Sequence, residues 1–302
     1  MFWHFVTVNL CRILQQRPTI LVSGKNGQLG NEFVSIHMSY PQYRFIFLDR
    51  TSLDLTDLRL LPGLFEQYRP AYFINTAAYT AVDKAETERD VALLVNGKAP
   101  GMIAGQCQKY GTTLIHLSTD YVFNGQGKAP YQPTEKTAPI NFYGESKRLG
   151  ELAALESNKN TIIIRTAWVY SVFGHNFVKT MLRLMSERSS IKVVQDQIGA
   201  PTYARDLAVD IMRIIEKRAE HKGIYHYSNK GVISWYDFAC AIRDLSNLQC
   251  TVLPVNTDAF PTPAKRPAYS VLDTSALQSD YGITPRTWDR ALKECLGYLN
   301  RL

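Results

Sequence analysis

The chain has 302 residues, 45% of them hydrophobic and 20% charged, with a net charge of +7. That is the make-up of one large α/β domain or two smaller lobes. The positive balance suits anionic ligands. No Lys/Arg run, zinc spacing or RNA-binding signature accompanies it, and no apolar run approaches the ~20 residues that span a bilayer, so neither nucleic acid nor membrane is expected as a partner.

The five cysteines, Cys11, Cys107, Cys240, Cys250 and Cys295, are odd in number and widely spaced. They are expected to be reduced thiols of a cytoplasmic protein. None of the six His stands in a metal-type spacing with another ligand. Residues 1–17 are expected to be an N-terminal extension. The apolar run over 1–14 is interrupted by His4, Asn9 and Arg12 and lacks the small-residue cleavage site of a signal peptide.

Pro18–Ser23 predicts a short buried strand, followed by Gly24-Lys25-Asn26-Gly27-Gln28-Leu29-Gly30 and a helical pattern. Strand, glycine turn and helix together make a dinucleotide fingerprint, because glycine lets the backbone approach a pyrophosphate seated on the helix N-terminus. A second strand, Arg44–Leu48, ends at Asp49-Arg50. An acid there holds the ribose hydroxyls of NAD, and an Arg pairs with the 2′-phosphate of NADP, so both cofactors stay open. Asp54-Leu55 follows; Asp54 either bonds an adenine edge or caps the helix from Leu58.

A third strand, Ala71–Asn75, ends in the small residues Thr76-Ala77-Ala78 before Tyr79, which leaves room for a ligand in the crevice. The helix over Val91–Tyr110 carries Asn96 and is expected to kink or break at Pro100. The fourth strand, Thr112–Leu117, delivers Ser118 and Thr119 to the same edge. Gly125–Pro139 reads as a loop. Tyr143 and Lys147, four apart, then share a helix face. An ammonium beside a phenol is expected to lower the phenol's pKa and make Tyr143 a proton donor or acceptor near neutral pH.

Thr161–Arg165 is a fifth strand, and the alternation predicts a parallel, doubly wound sheet. Beyond Trp168 the chain loosens. Helices are expected from Phe177 to Met185, over Arg205–Arg218, from Ser234 to Leu245 with Asp237 completing a capping box, and over Trp288–Leu302, with strands at Ile191–Val194 and Gly223–Tyr227. The fold expected is a Rossmann-type domain over 18–165, with parts of 190–222 packing back on it, and a smaller, mainly substrate-binding lobe over 166–302.

The glycine turn, Asn75–Glu86, Ser118–Phe123, Thr166–Tyr170, Asn176–Leu182, Asp196–Thr202 and Arg266-Pro267 with Ser270 resemble an extended short-chain dehydrogenase/reductase. Within that superfamily they resemble the dTDP-4-dehydrorhamnose reductase family over about residues 18–300. The resemblance implies that NADPH or NADH reduces the C4 ketone of a dTDP-linked 4-keto-6-deoxy sugar. It implies Tyr143 as general acid, Lys147 as the group that tunes it and holds the nicotinamide ribose, and Thr119 as a donor to the carbonyl oxygen. It places Asn96 at the cofactor, Val82, Asp120, Tyr121 and Trp168 around the sugar, and Asn176 and Arg266 near the diphosphate. Some members dimerise through a metal held by carboxylates. Here Glu32 matches one ligand but Arg205 stands where another would be, so no metal and a monomer or weak homodimer are expected. The same resemblance admits a catalytically idle relative, like the regulatory β subunit of methionine adenosyltransferase, or another nucleotide-sugar reductase or epimerase.

Overall fold

The computed structural model describes residues 17–301; the expectations for the N-terminal extension and Cys11 fall almost wholly outside them. Strand β1 (Thr19–Ser23) is buried along its whole length, as an interior strand of a parallel sheet covered on both faces is. It feeds helix α1 (Gln28–Ile36) and β2 (Arg44–Leu48). Helix α2 (Leu61–Tyr68), β3 (Tyr72–Asn75), α3 (Arg89–Ala92), α4 (Ala99–Tyr110) and β4 (Thr113–Thr119) follow. Then come α5 (Phe142–Ser157) and β5 (Thr161–Thr166).

After β5 the chain runs through two-residue β6 (Val169–Tyr170), α6 (Phe177–Glu187), β7 (Ser190–Val194), β8 (Ile198–Gly199), β9 (Thr202–Tyr203) and α7 (Ala204–Glu216). It continues with β10 (Gly223–Tyr227), β11 (Ile233–Ser234), α8 (Trp235–Leu245), β12 (Thr251–Val255), α9 (Ser275–Tyr281) and α10 (Trp288–Leu299). The main sheet is parallel, in the order β10-β5-β4-β3-β1-β2. The order reverses between β1 and β3, and a crevice opens there at the carboxyl ends of the strands.

One face of the sheet is covered by α1 and α7, whose Phe33, Leu207 and Ile211 are fully buried with Ile20 and Ile115. The other face packs Phe65, Phe73, Ile103 and Leu114. A second core, around Tyr170, Phe238, Ile242 and Leu292, belongs to the smaller layer. The sheet takes its last strand, β10, from beyond residue 166, so the chain crosses back into the large layer before finishing the small one.

Pro100 does break its helix. It stands at the start of α4, and the residues before it, Leu93–Lys98, form a π segment. A proline has no N–H for the carbonyl of residue 96, so the preceding turn widens. Gly150 of α5 fills the opening, where any Cβ would lie 1.9 Å from the Asn96 oxygen. Of the two readings open for Asp54, the helix cap goes to Asp57, which accepts from Arg59 N. Asp54 accepts from Thr56 N and Oγ1 in a local turn. The tail strand β12 carries Pro254 inside it. It pairs only with β7, and an edge strand tolerates the missing N–H.

Candidate active site

The glycine turn has no slack. Gly24 has φ +76°, a left-handed conformation that costs other residues about 1–2 kcal/mol, and a Cβ on it would sit 2.7 Å from Ala77 N. A Cβ on Gly30 would meet the Gly24 oxygen at 2.1 Å. Gly30 therefore packs α1 against the turn rather than facing the groove. The result is a bare backbone cradle leading into the N-terminus of α1, as a pyrophosphate requires.

Two cavities of about 480 and 430 Å³ share Gly24, Gly27, Ala77 and Ala78 and so form one groove over the switch point. The first is also lined by Asn26, Asp49, Arg50, Asp54, Leu55 and Tyr79. The second is lined by Gln28, Leu29, Tyr143 and Lys147, together with His175. The bare cradle and the residues that line the groove fit a nicotinamide dinucleotide.

At the first-cavity end Asp49 Oδ1 accepts from the backbone N–H and hydroxyl of both Thr51 and Ser52, which holds its carboxyl down at about 2. Arg50 pairs with Asp54 at 3.1 Å but stays largely exposed. Asn96 is placed differently from the expectation. It is buried, accepts from Tyr79 N at 2.9 Å and donates to Tyr79 O and Ser146 Oγ. It braces the loop that walls the groove and lines neither cavity.

At the other end, helix α5 starts where the Asn141 side chain caps Gly144 N. Gly144 lets the helix approach the Tyr121 carbonyl, which a Cβ would meet at 2.1 Å. This brings Tyr143 against Thr119 at the end of β4, with the Tyr121 ring edge-on at 5.6 Å. Burial pushes the Tyr143 phenol up to about 12, the Thr119 hydroxyl partly offsets this, and the Asp120 carboxylate adds to it. The expected lowering by Lys147 is not met. The Lys147 ammonium turns to the strand, donating to Leu117 O at 2.6 Å with His116 Nε2 at 3.4 Å, and burial brings it down to about 8.

Asp120 is fully buried beside Thr119, whose hydroxyl donates to Asp120 Oδ1 at 2.9 Å. Burial raises this carboxyl to about 6, against the pull of the Thr119 and Ser270 hydroxyls. Trp168 has φ +48° and stacks on Trp235 at 3.6 Å above Gly199, where a Cβ would meet the indole at 2.7 Å. A bulky residue in that conformation stores strain, which clusters at ligand sites. Arg266 pairs with Asp83 at 2.7 Å and ties segment 261–271 to the sheet edge next to half-buried Val82. Asn176 caps α6 through Lys179 N and donates to Gln28 Oε1 and Ser171 O, which anchors the helix to the glycine turn.

The family model described as "RmlD substrate binding domain" matches residues 18–301. The chain belongs to this family. It is 42% identical over 277 residues to the spore coat polysaccharide biosynthesis protein SpsK of Bacillus subtilis, covering 92% of this chain and 96% of that one. It is 38% identical to the dTDP-4-dehydrorhamnose reductase of Escherichia coli K12, covering 93% and 97%. Among solved structures it matches the dTDP-4-dehydrorhamnose reductase of Bacillus anthracis in complex with NADP, with TM-score 0.90, 38% identity and coverage of 94% and 100%. Fold, family and class agree with the sequence reading: a Rossmann-type, NAD(P)-dependent oxidoreductase of the dTDP-4-dehydrorhamnose reductase family.

Within that family frame, Arg205 Nη1 lies 3.7 Å from Glu32 Oε2, so the buried carboxylate faces a guanidinium. Ser171 Oγ donates to the other Glu32 oxygen at 2.6 Å. Sequence reasoning missed Trp235, which stacks on Trp168, and gave no role to Ser270, which reaches Asp120 from the far segment. It also missed the buried chain Ser23–Asn75–His116 beneath Lys147, linked at 2.7 and 3.0 Å. Only the last had a signal, since polar residues inside three buried strands are out of place unless they meet one another.

Proposed function

We propose that the protein reduces the C4 ketone of dTDP-4-dehydro-L-rhamnose to dTDP-L-rhamnose, with Tyr143 as general acid. The observation that carries this reading is that Tyr143 and Lys147 line one end of the glycine groove while the Thr119 hydroxyl bonds to the Tyr143 phenol. When bound, the reduced nicotinamide supplies a hydride to the carbonyl carbon.

The chain's residues manage the oxygen. Tyr143 keeps its proton at neutral pH, being raised to about 12, and so meets the carbonyl oxygen in donor form. Its O–H bond breaks only as negative charge grows on that oxygen. A second donor at Thr119 stabilises the same charge. Lys147, fixed on the Leu117 carbonyl, presents its remaining protons to the groove and holds the ribose. Asp120, Tyr121, Val82 and the Trp168 face enclose the sugar, while Arg266 and Asn176 serve the diphosphate.

The enzyme acts in the cytoplasm as a monomer or weak homodimer without a bridging metal, the Arg205 guanidinium taking the place of a cation at Glu32. No helix among the described residues is long and apolar enough to cross a membrane. The test is the loss of absorbance at about 340 nm from NADPH or NADH, with the 4-keto sugar generated in situ from dTDP-glucose. Turnover is expected. Folded protein that binds cofactor but gives no turnover with either form would overturn the reading in favour of a regulatory subunit.

A further inference from the structure

Counting protons at Thr119 exposes a conflict. A threonine hydroxyl has one proton to give. Thr119 Oγ1 already accepts from Tyr121 N at 3.2 Å, and its proton points at Asp120 Oδ1, 2.9 Å away. While Asp120 is ionised and holds that proton, Thr119 has none for a ketone oxygen. The other carboxyl oxygen, Asp120 Oδ2, is buried without a hydrogen-bond partner. An ionised carboxylate with one bare oxygen in a dry site is costly, and protonation relieves it.

We infer that Asp120 is a positioning residue that works in its protonated form, donating its O–H to Thr119 Oγ1 so that the Thr119 proton is released toward the substrate carbonyl oxygen. No bond is made or broken in this relay. Asp120 keeps its proton, Thr119 keeps its own, and only the direction of donation changes. The inference rests on the proposed ketone reduction, because it is the ketone oxygen that needs the second donor.

The titratable groups around the carboxyl are uncharged, and burial outweighs the hydrogen bonds from the Thr119 and Ser270 hydroxyls and from the Asp120 and Tyr121 backbone that favour the ionised form. Its own turn contributes the Tyr121 phenol, which burial pushes up, and α5 contributes the Tyr143 phenol, raised to about 12, so both are uncharged. Segment 261–271 contributes the Ser270 hydroxyl. Of that segment's two cations, Lys265 and Arg266, Arg266 donates to Asp83. No ammonium or guanidinium among the described residues touches the Asp120 carboxyl, and burial brings it to about 6. A sugar seated against it removes more water and raises it further.

The wild-type profile of kcat/KM against pH is expected to fall tenfold per pH unit above the Asp120 ionisation, with a second fall near the Lys147 value of about 8. In Asp120→Asn the amide donates at every pH. The first alkaline fall should then vanish while the Lys147 fall remains. Thr119→Val should lower kcat by roughly 100-fold, the cost of one lost oxyanion donor, and should remove the same limb. An Asp120→Asn profile that keeps the wild-type limb overturns the inference. So does a variant whose loss lies only in KM, which would make Asp120 a sugar-binding carboxylate. If Asp120→Asn does not fold, wild-type activity that stays flat up to the Lys147 limb is sufficient to overturn it. A wild-type enzyme that turns over no 4-keto sugar refutes the proposed reaction instead. The Asp120 inference is then read from the 13C carboxyl titration of aspartate-labelled protein, where ionisation in the ordinary carboxylate range counts against it.

Discussion

The Lys147 ammonium donates to the Leu117 carbonyl at 2.6 Å and thereby pins α5 to β4, the strand that ends at Thr119. Burying the ammonium comes at the expense of stability. Burial lowers the Lys147 pKa from 10.5 to about 8, so between these values the unfolded chain binds a proton that the folded chain does not. Stability therefore rises with pH through that window and is at its lower level at neutral pH. Lys147→Met should raise the neutral-pH stability by about 1–3 kcal/mol, as removing a poorly paired buried charge does. It should also abolish reduction. Denaturant titrations of both proteins at pH 7 and 10 check the sign, since the advantage of the variant should shrink at the higher pH.

Tyr143→Phe removes the proton donor and little else, since the ring still packs edge-on against Tyr121. NADPH affinity should stay within about threefold, while kcat falls by 100-fold or more, the contribution of a positioned general acid. Fluorescence titration with NADPH beside steady-state kinetics separates the two. Near-normal kcat would assign the proton to another group.

Gly24 and Gly105 make opposite predictions. Gly24→Ala forces a left-handed Cβ to 2.7 Å from Ala77 N, which should cost about 1–3 kcal/mol and weaken cofactor binding at least tenfold. Gly105 lies in the body of α4, and a Cβ placed on it would have no neighbour within 4 Å. Gly105→Ala should therefore stabilise by about 0.5–1 kcal/mol. Thermal melts with and without NADPH distinguish a lost cradle from a lost fold.

The Arg165–Glu151 pair joins β5 to α5 at 2.7 Å with both side chains 3% exposed. Glu151→Gln leaves the guanidinium uncompensated and should cost about 3–5 kcal/mol. Replacing both residues, as in Glu151→Leu with Arg165→Met, should recover most of that loss. Urea midpoints for the single and double variants decide it, and a double variant as weak as the single one would point to packing rather than charge.

The strands from β1 to β5, the glycine cradle and the Tyr143–Lys147 spacing were legible from residue order alone. Apolar periodicity and backbone sterics act over a few neighbours, so a linear reading captures them. Gly24, Ala77 and Ala78 were placed in the groove, and Pro100 at a helix break, for that reason. Tertiary structure decided what those groups do. It turned Lys147 away from the phenol and onto Leu117, raised Tyr143 by burial, made Asn96 a brace, and brought Ser270 and Trp235 to a site that lies well before them in the chain. It also placed Asp120 where a carboxylate has too few partners. Burial and hydrogen-bond partnership depend on residues far apart in sequence, and they govern protonation. The residue types needed for reduction are thus carried by local sequence, and their protonation states by the packed site.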